Sequence, residues 1–231
     1  MTPFFSIITV TKDNALGLAR TRASIELQTF GNREWIVIDG AVEHDRGIYD
    51  AMNKGISRAR GDYLIFMNAG DMFAAPDTLE RIAPLLHDAG FAYGDALEGN
   101  GFLKPARHDI RYGMVTHHQA MVYARAFVGS LRYDTAYKIA ADYKFTAQII
   151  AKAAAESRAC LYLPFPVCVF EAGGVSQRHA AEGQREQAAI RRALKMDAPY
   201  VDALQTMARW LKQTMPQLYW LLRSRFRTSR A

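Results

Sequence analysis

Cysteine is scarce: Cys160 and Cys168 are the only two in 231 residues. That excludes a disulfide framework or a Cys-rich metal site, and it fits a reducing compartment with both thiols structural. No apolar run is long enough to cross a bilayer. The opening Met1-Thr2-Pro3-Phe4-Phe5 lacks the basic stretch and long apolar core of a signal peptide, so a cytoplasmic location is expected. Neither Gly-x-Gly-x-x-Gly nor Gly-x-x-x-x-Gly-Lys-Ser/Thr follows the first strand-like segment, which argues against a dinucleotide fold and a P-loop. Residues 204–231 hold no Asp or Glu but six basic residues: Arg209, Lys212, Arg223, Arg225, Arg227 and Arg230. Those six account for the whole excess of 29 basic over 23 acidic residues, so residues 1–203 are formally neutral. The basic character belongs to one aromatic-rich tail without a recognition module, and nucleic acid is not an expected partner.

What is present is an alternation of short buried strands and helices. Phe5–Val10, Trp35–Ile38 and Tyr63–Met67 are apolar, β-branched or aromatic runs bounded by polar residues. Between them Ala15–Leu27 carries Leu16, Ala19, Ala23 and Leu27 at helical spacing, and Ile48–Ala59 carries Ile48, Ala51, Met52, Ile56 and Ala59. Pro76 opens a helix through Leu79, Ile82 and Leu86, and Phe91–Tyr93 begins a further strand. The order predicts βαβ units and a mainly parallel sheet flanked by helices. Beyond Gly94 the pattern loosens. Asp142–Ala154 predicts a helix, Cys160–Tyr162 and Val167–Phe170 two short strands, and Ala180–Leu194 a polar surface helix.

Three strands end in polar groups on what is predicted to be one sheet edge: Thr9 and Thr11, then Asp39, then Asn68 with Asp71. In open α/β sheets that edge is where ligands bind. The turn Asn68-Ala69-Gly70-Asp71 also suits an ordinary strand-end turn, since its residue types are turn formers.

Several ordered motifs carry a resemblance. Ser6–Asn14, Trp35–Gly40, Gly47–Asp71, His118-Gln119, Lys138–Tyr143 and Gly173–Ser176 together resemble a family 2 glycosyltransferase of the GT-A fold, in the colanic-acid-type bacterial polysaccharide branch. The resemblance implies transfer of a sugar from a nucleotide-diphosphate donor to an acceptor hydroxyl, with inversion. It implies Asp142 as the general base, although a helix N-cap is its structural alternative. Asp71 is implied as the ligand of Mg²⁺ or Mn²⁺ opposing the leaving diphosphate. It also implies Thr9, Thr11, Asp39, Asn53 and Asn68 as nucleotide-sugar-binding residues, and His118 and Gln119 as acceptor-binding residues. His117 is a weaker acceptor-side candidate. A lipid-linked or oligosaccharide acceptor is the implied second substrate. A non-catalytic nucleotide-sugar-binding protein of the same fold is the alternative, because the chain departs from the family. One carboxylate replaces Asp-x-Asp, Ala141 stands where many relatives have an acid, and the segment from Gly40 to Asp45 is short.

The expected organisation is a glycosyltransferase domain over 1–203 and a basic amphipathic extension over 204–231. Leu204, Met207, Leu211, Leu218, Leu222 and Phe226 recur near helical spacing, with Trp210, Tyr219 and Trp220 among them and Pro216 as a break. This pattern suits docking on the anionic inner face of the cytoplasmic membrane, and equally a helix packed on the domain.

Overall fold

The computed structural model describes residues 2–171, 173–196 and 200–215. Its strands are β1 (Phe5–Thr11), β2 (Arg33–Asp39), β3 (Tyr63–Phe66), β4 (Met72–Phe73), β5 (Phe91–Glu98), β6 (Leu103–Lys104), β7 (Met121–Ala124) and β8 (Cys160–Phe170). Its helices are α1 (Ala15–Glu26), α2 (Ile48–Arg58), α3 (Thr78–Ile82), α4 (Arg125–Val128), α5 (Ala141–Ala155), α6 (Val175–Arg178), α7 (Ala180–Ala193) and α8 (Val201–Thr214). The sheet order is β2-β1-β3-β7-β5-β8-β4, with β6 added beside β5. This is the α/β architecture that the alternation predicts.

The parallel prediction holds for β2-β1-β3 and for β5-β8. β7 then runs antiparallel between β3 and β5, and β4 and β6 are antiparallel additions, so the sheet is mixed. The two short strands expected after Cys160 are one strand. Pro164 and Pro166 offer no N–H to the ladder, and register slips occur there against Gly94 and Asp95. Gly94 leaves the room this needs, since a Cβ on it would sit 2.6 Å from Val167 Cγ2.

α2 follows its predicted periodicity except at its first residue, Ile48, which is exposed. Ala51, Met52, Ile56 and Ala59 are buried with Ile8, Val10, Phe66 and Tyr143 in the core on one side of the sheet. α1 does not. Leu16 and Leu27, half of its predicted apolar stripe, are 82% and 66% exposed, whereas Gly17, Thr21, Ser24 and Ile25 are buried. The helix lies against the chain leaving β3, whose backbone needs hydrogen-bond partners. Thr21, Ser24 and Gln28 supply them, and a Leu stripe turned inward would leave those groups unpaired. α7 is more than a surface helix, because Gly183, Ile190 and Arg191 are buried.

The expected boundary at 203/204 falls inside α8. Pro216, Leu218, Tyr219, Trp220, Leu222, Arg223, Arg225, Phe226, Arg227 and Arg230 lie outside the described residues. No helix among the described residues is long and apolar enough to cross a membrane.

Candidate functional site

The parallel register aligns the first three strand ends. Thr11 sits opposite Asp39, and Asp39 closes its own turn by accepting the Ala41 N–H at 2.9 Å. Gly40 N donates to Thr11 O at 2.9 Å and Ala69 N donates to Val10 O at 3.2 Å, so the loops after β1, β2 and β3 are stitched together. Asn14 caps α1 by accepting Gly17 N at 3.0 Å, and its amide also donates to Ala69 O at 3.3 Å.

One hydroxyl organises the turn at 68–71. Thr21 Oγ1 lies 3.1 Å from Asn68 O and 2.7 Å from Asp71 O, and it accepts Gly70 N at 2.9 Å. Gly70 has φ +108°, and a Cβ on it would overlap the Glu171 carboxylate. Both constraints demand glycine. Asn68 Oδ1 is a buried acceptor without a partner among the described residues. An orphaned acceptor at a strand end is what a ligand-facing Asn requires.

Asp71 is a hub. Its carboxylate is 4% exposed; Oδ1 accepts Glu171 N at 2.8 Å and Oδ2 accepts Gln119 Nε2 at 2.5 Å. Burial, with help from the Glu171 charge, raises its pKa to about 7 against the pull of those two hydrogen bonds. The Glu171 carboxylate in turn pairs with Arg20. Each Asp71 oxygen accepts one hydrogen bond and keeps a second lone pair, so Asp71 is the residue that would hold Mg²⁺ or Mn²⁺ here. It would do so as a single carboxylate, since no cluster of three His, Cys, Asp or Glu suited to a metal exists among the described residues.

A chain of side chains leads from this hub to Asp142. Gln119 adjoins His118, whose Nε2 lies 2.7 Å from Tyr133 Oη and whose ring stacks on Phe66. Tyr133 stacks on Tyr49 with centroids 5.6 Å apart, and Tyr49 Oη donates to Ile139 O at 2.7 Å and lies 3.3 Å from Asp142 Oδ1. Asn53 clamps this chain, since its amide accepts Tyr133 N at 2.8 Å and donates to Tyr133 O at 2.9 Å. Asp142 is half-buried in the first turn of α5, whose N-cap is Ala140 rather than Asp142. Burial raises its pKa to about 6, against hydrogen bonds from Tyr143 N and Tyr49.

The structure therefore brings Asn68, Asp71, Gln119, His118, Asn53 and Asp142 into one connected arrangement, with Thr11 and Asp39 at its strand-end margin. Thr9 stands apart, buried with its hydroxyl accepting Trp35 Nε1 at 2.9 Å. His118 is an interior histidine, and burial lowers its pKa to about 3. His117 lies 3.1 Å from both Glu98 Oε1 and Lys104 Nζ and stacks on Phe170; burial first, then Lys104, lowers its pKa to about 4. Thr21, Tyr49, Tyr133 and Glu171 also hold the site together. Tyr49 lies inside the Gly47–Asp71 motif and was legible there; the other three act through contacts that no local pattern encodes.

Residues 41–141 match the family model described as glycosyl transferase family 2. A PGL/p-HBAD biosynthesis glycosyltransferase of Mycobacterium bovis is 29% identical over 206 residues, covering 75% of this chain and 79% of that protein. An uncharacterized glycosyltransferase of Mycobacterium tuberculosis is 32% identical over 179 residues, covering 62% of this chain and 67% of that protein. Among solved structures, Staphylococcus aureus TarS 1-349 in complex with UDP aligns with a TM-score of 0.63 at 17% identity, over 80% of this chain and 64% of that one. The mannosyltransferase PcManGT of Pyrobaculum calidifontis, in complex with GDP-Man and Mn²⁺, aligns with a TM-score of 0.61 at 16% identity, over 95% of this chain and 83% of that one. The fold is thus of the GT-A type, and the chain belongs to glycosyl transferase family 2.

Proposed function

We propose that the protein moves a sugar from a nucleotide-diphosphate donor to an acceptor hydroxyl, with inversion, in bacterial surface polysaccharide assembly of the colanic-acid type. The observation that carries this reading is the half-buried Asp142, with its pKa near 6, linked through Tyr49, Tyr133 and His118 to the turn holding Asp71. At pH 7 such a carboxylate is mostly ionised and yet more basic than a free one, which suits a general base. Asp142 takes the acceptor hydroxyl proton as that oxygen bonds to the anomeric carbon. The bond from that carbon to the donor diphosphate breaks, and its electron pair leaves with the diphosphate.

In this reading Thr11, Asp39 and the orphaned Asn68 Oδ1 face the donor. Thr9, Asn53, His118 and Gln119 hold those groups from behind, each through a polar atom engaged with a neighbouring residue of the chain. Asp71 would hold a divalent cation there, and that cation would offset the charge developing on the leaving diphosphate. A lipid-linked or oligosaccharide acceptor at the anionic inner membrane face suits α8, where Leu204, Met207 and Trp210 are exposed, together with the basic residues of 204–231. The single carboxylate at the strand end, where the family pattern has two, favours a second reading, a protein that binds nucleotide sugar without turning it over.

The test is a transfer screen of nucleotide sugars against membrane lipid extract, with and without EDTA, for wild type, Asp71→Asn and Asp142→Asn. Transfer lost in Asp142→Asn supports the base assignment, and full activity in that variant rejects it. Donor binding without transfer in wild type selects the second reading. EDTA sensitivity reports metal use on its own. Truncation at Gln205 is expected to release the protein from anionic liposomes, and unchanged binding rejects membrane docking.

A further inference from the structure

One contact of α7 has no counterpart in its sequence pattern. Glu186 accepts three consecutive backbone N–H groups: Oε1 from Lys138 at 2.7 Å, and Oε2 from Ile139 at 2.9 Å and Ala140 at 2.7 Å. Ala140 is the N-cap of α5 and offers no side-chain cap. Donors entering a helix start need an acceptor, and a carboxylate there also meets the favourable end of the helix dipole. Glu186 supplies from another helix what a capping residue supplies locally.

The segment is pinned from its other side as well. Tyr49 Oη donates to Ile139 O at 2.7 Å. Gly183, one turn before Glu186, lets α7 close on Ile139, because a Cβ there would sit 3.0 Å from Ile139 Cγ2. The backbone at 138–140 therefore has little freedom, and Asp142 follows it by two residues.

We propose that Glu186 is the positioning residue of Asp142, fixing through the 138–140 backbone the angle at which α5 presents that carboxylate to the acceptor hydroxyl. The inference rests on the reading of Asp142 as base. Glu186 also adds to the pKa rise at Asp142, where the other titratable groups facing it are Tyr49, Tyr123 and Tyr133.

The experiment compares Glu186→Gln, Glu186→Ala, Glu186→Asp and a control on the same helix, Glu182→Gln, in the full chain. Hydrogen exchange at 138–140 and carboxyl NMR titration of Asp142 need no ligand. Transfer is read with UDP-glucose and GDP-mannose on membrane lipid extract. In Glu186→Gln and Glu186→Ala, faster exchange at 138–140, a lower Asp142 pKa and about 100-fold slower transfer at unchanged donor KM are expected. Glu186→Asp keeps the charge on a shorter stem, so exchange quickens while the Asp142 pKa stays raised. Glu182→Gln matches wild type. Faster exchange with wild-type transfer overturns the proposal, as does unchanged exchange in Glu186→Ala. If Asp142→Asn keeps full transfer, the base reading falls, whereas the exchange result still decides whether Glu186 anchors the segment.

Discussion

α1 and α2 are the crossovers of the first two βαβ units, and their sequences predict the same thing: an apolar stripe turned to the sheet. α2 obeys. α1 turns Leu16 and Leu27 to solvent and buries Thr21 and Ser24. The difference lies in what each helix meets. α2 meets β1 and β2, whose backbone groups are satisfied by the sheet ladder, so only apolar area is left to bury. α1 meets the chain from Asn68 to Leu79, which joins the ladder only around Met72–Phe73 and otherwise needs side-chain partners for its N–H and C=O groups. An unpaired buried backbone group costs about 1–3 kcal/mol, comparable to the gain from burying a whole Leu side chain. Three or four such groups outweigh two leucines.

The comparison is sharpened first by Met52→Ala, which opens a cavity under α2. It is expected to cost about 2–5 kcal/mol in denaturant unfolding, with nucleotide-sugar affinity unchanged in the fraction that remains folded. Thr21→Val is the corresponding cut in α1. Shape is kept, the three contacts to the 68–71 turn are lost, and about 1–3 kcal/mol of stability goes with them. Here donor binding is expected to fall further than stability does. Equal losses in both variants would erase the distinction drawn between the helices.

A smaller effect follows from charge. The raised pKa of Asp71, near 7, means that its ionised form is disfavoured on folding. Its share of stability is therefore fully present below about pH 4, the pKa of an unfolded Asp, and is lost as pH rises through 7. Asp142, near 6, has the same sign. Asp71→Asn is expected to flatten the fall in melting temperature between pH 5 and pH 8, and an unchanged slope would contradict the burial of that charge. Smallest of all, Leu16→Gln and Leu27→Gln should shift stability by within about 0.5 kcal/mol, the range of ordinary surface changes. A loss of 2 kcal/mol or more at either would mean that the stripe is buried after all.

Much of this site was legible in the chain. Asn68, Asp71, Gln119 and Asp142 lie in motifs that resemble those of family 2 glycosyltransferases, and the structure brings them into one connected arrangement. Thr9 illustrates the limit. Its strand is read correctly, but the indole of Trp35, which donates to its hydroxyl, comes from the next strand. Asn53 looks like a polar helix residue and proves to hold both backbone groups of Tyr133, 80 residues away.

The sequence alone determined the α/β alternation and the position of the strand ends. Those depend on period, on side-chain size and on backbone conformation, all of which act over a few residues. Tertiary structure alone decided which face of α1 is buried, how far Asp71 is shielded, and which carboxylate holds the approach to Asp142. Hydrogen-bond satisfaction and desolvation act between groups that meet only when the chain has folded, so no local pattern contains them.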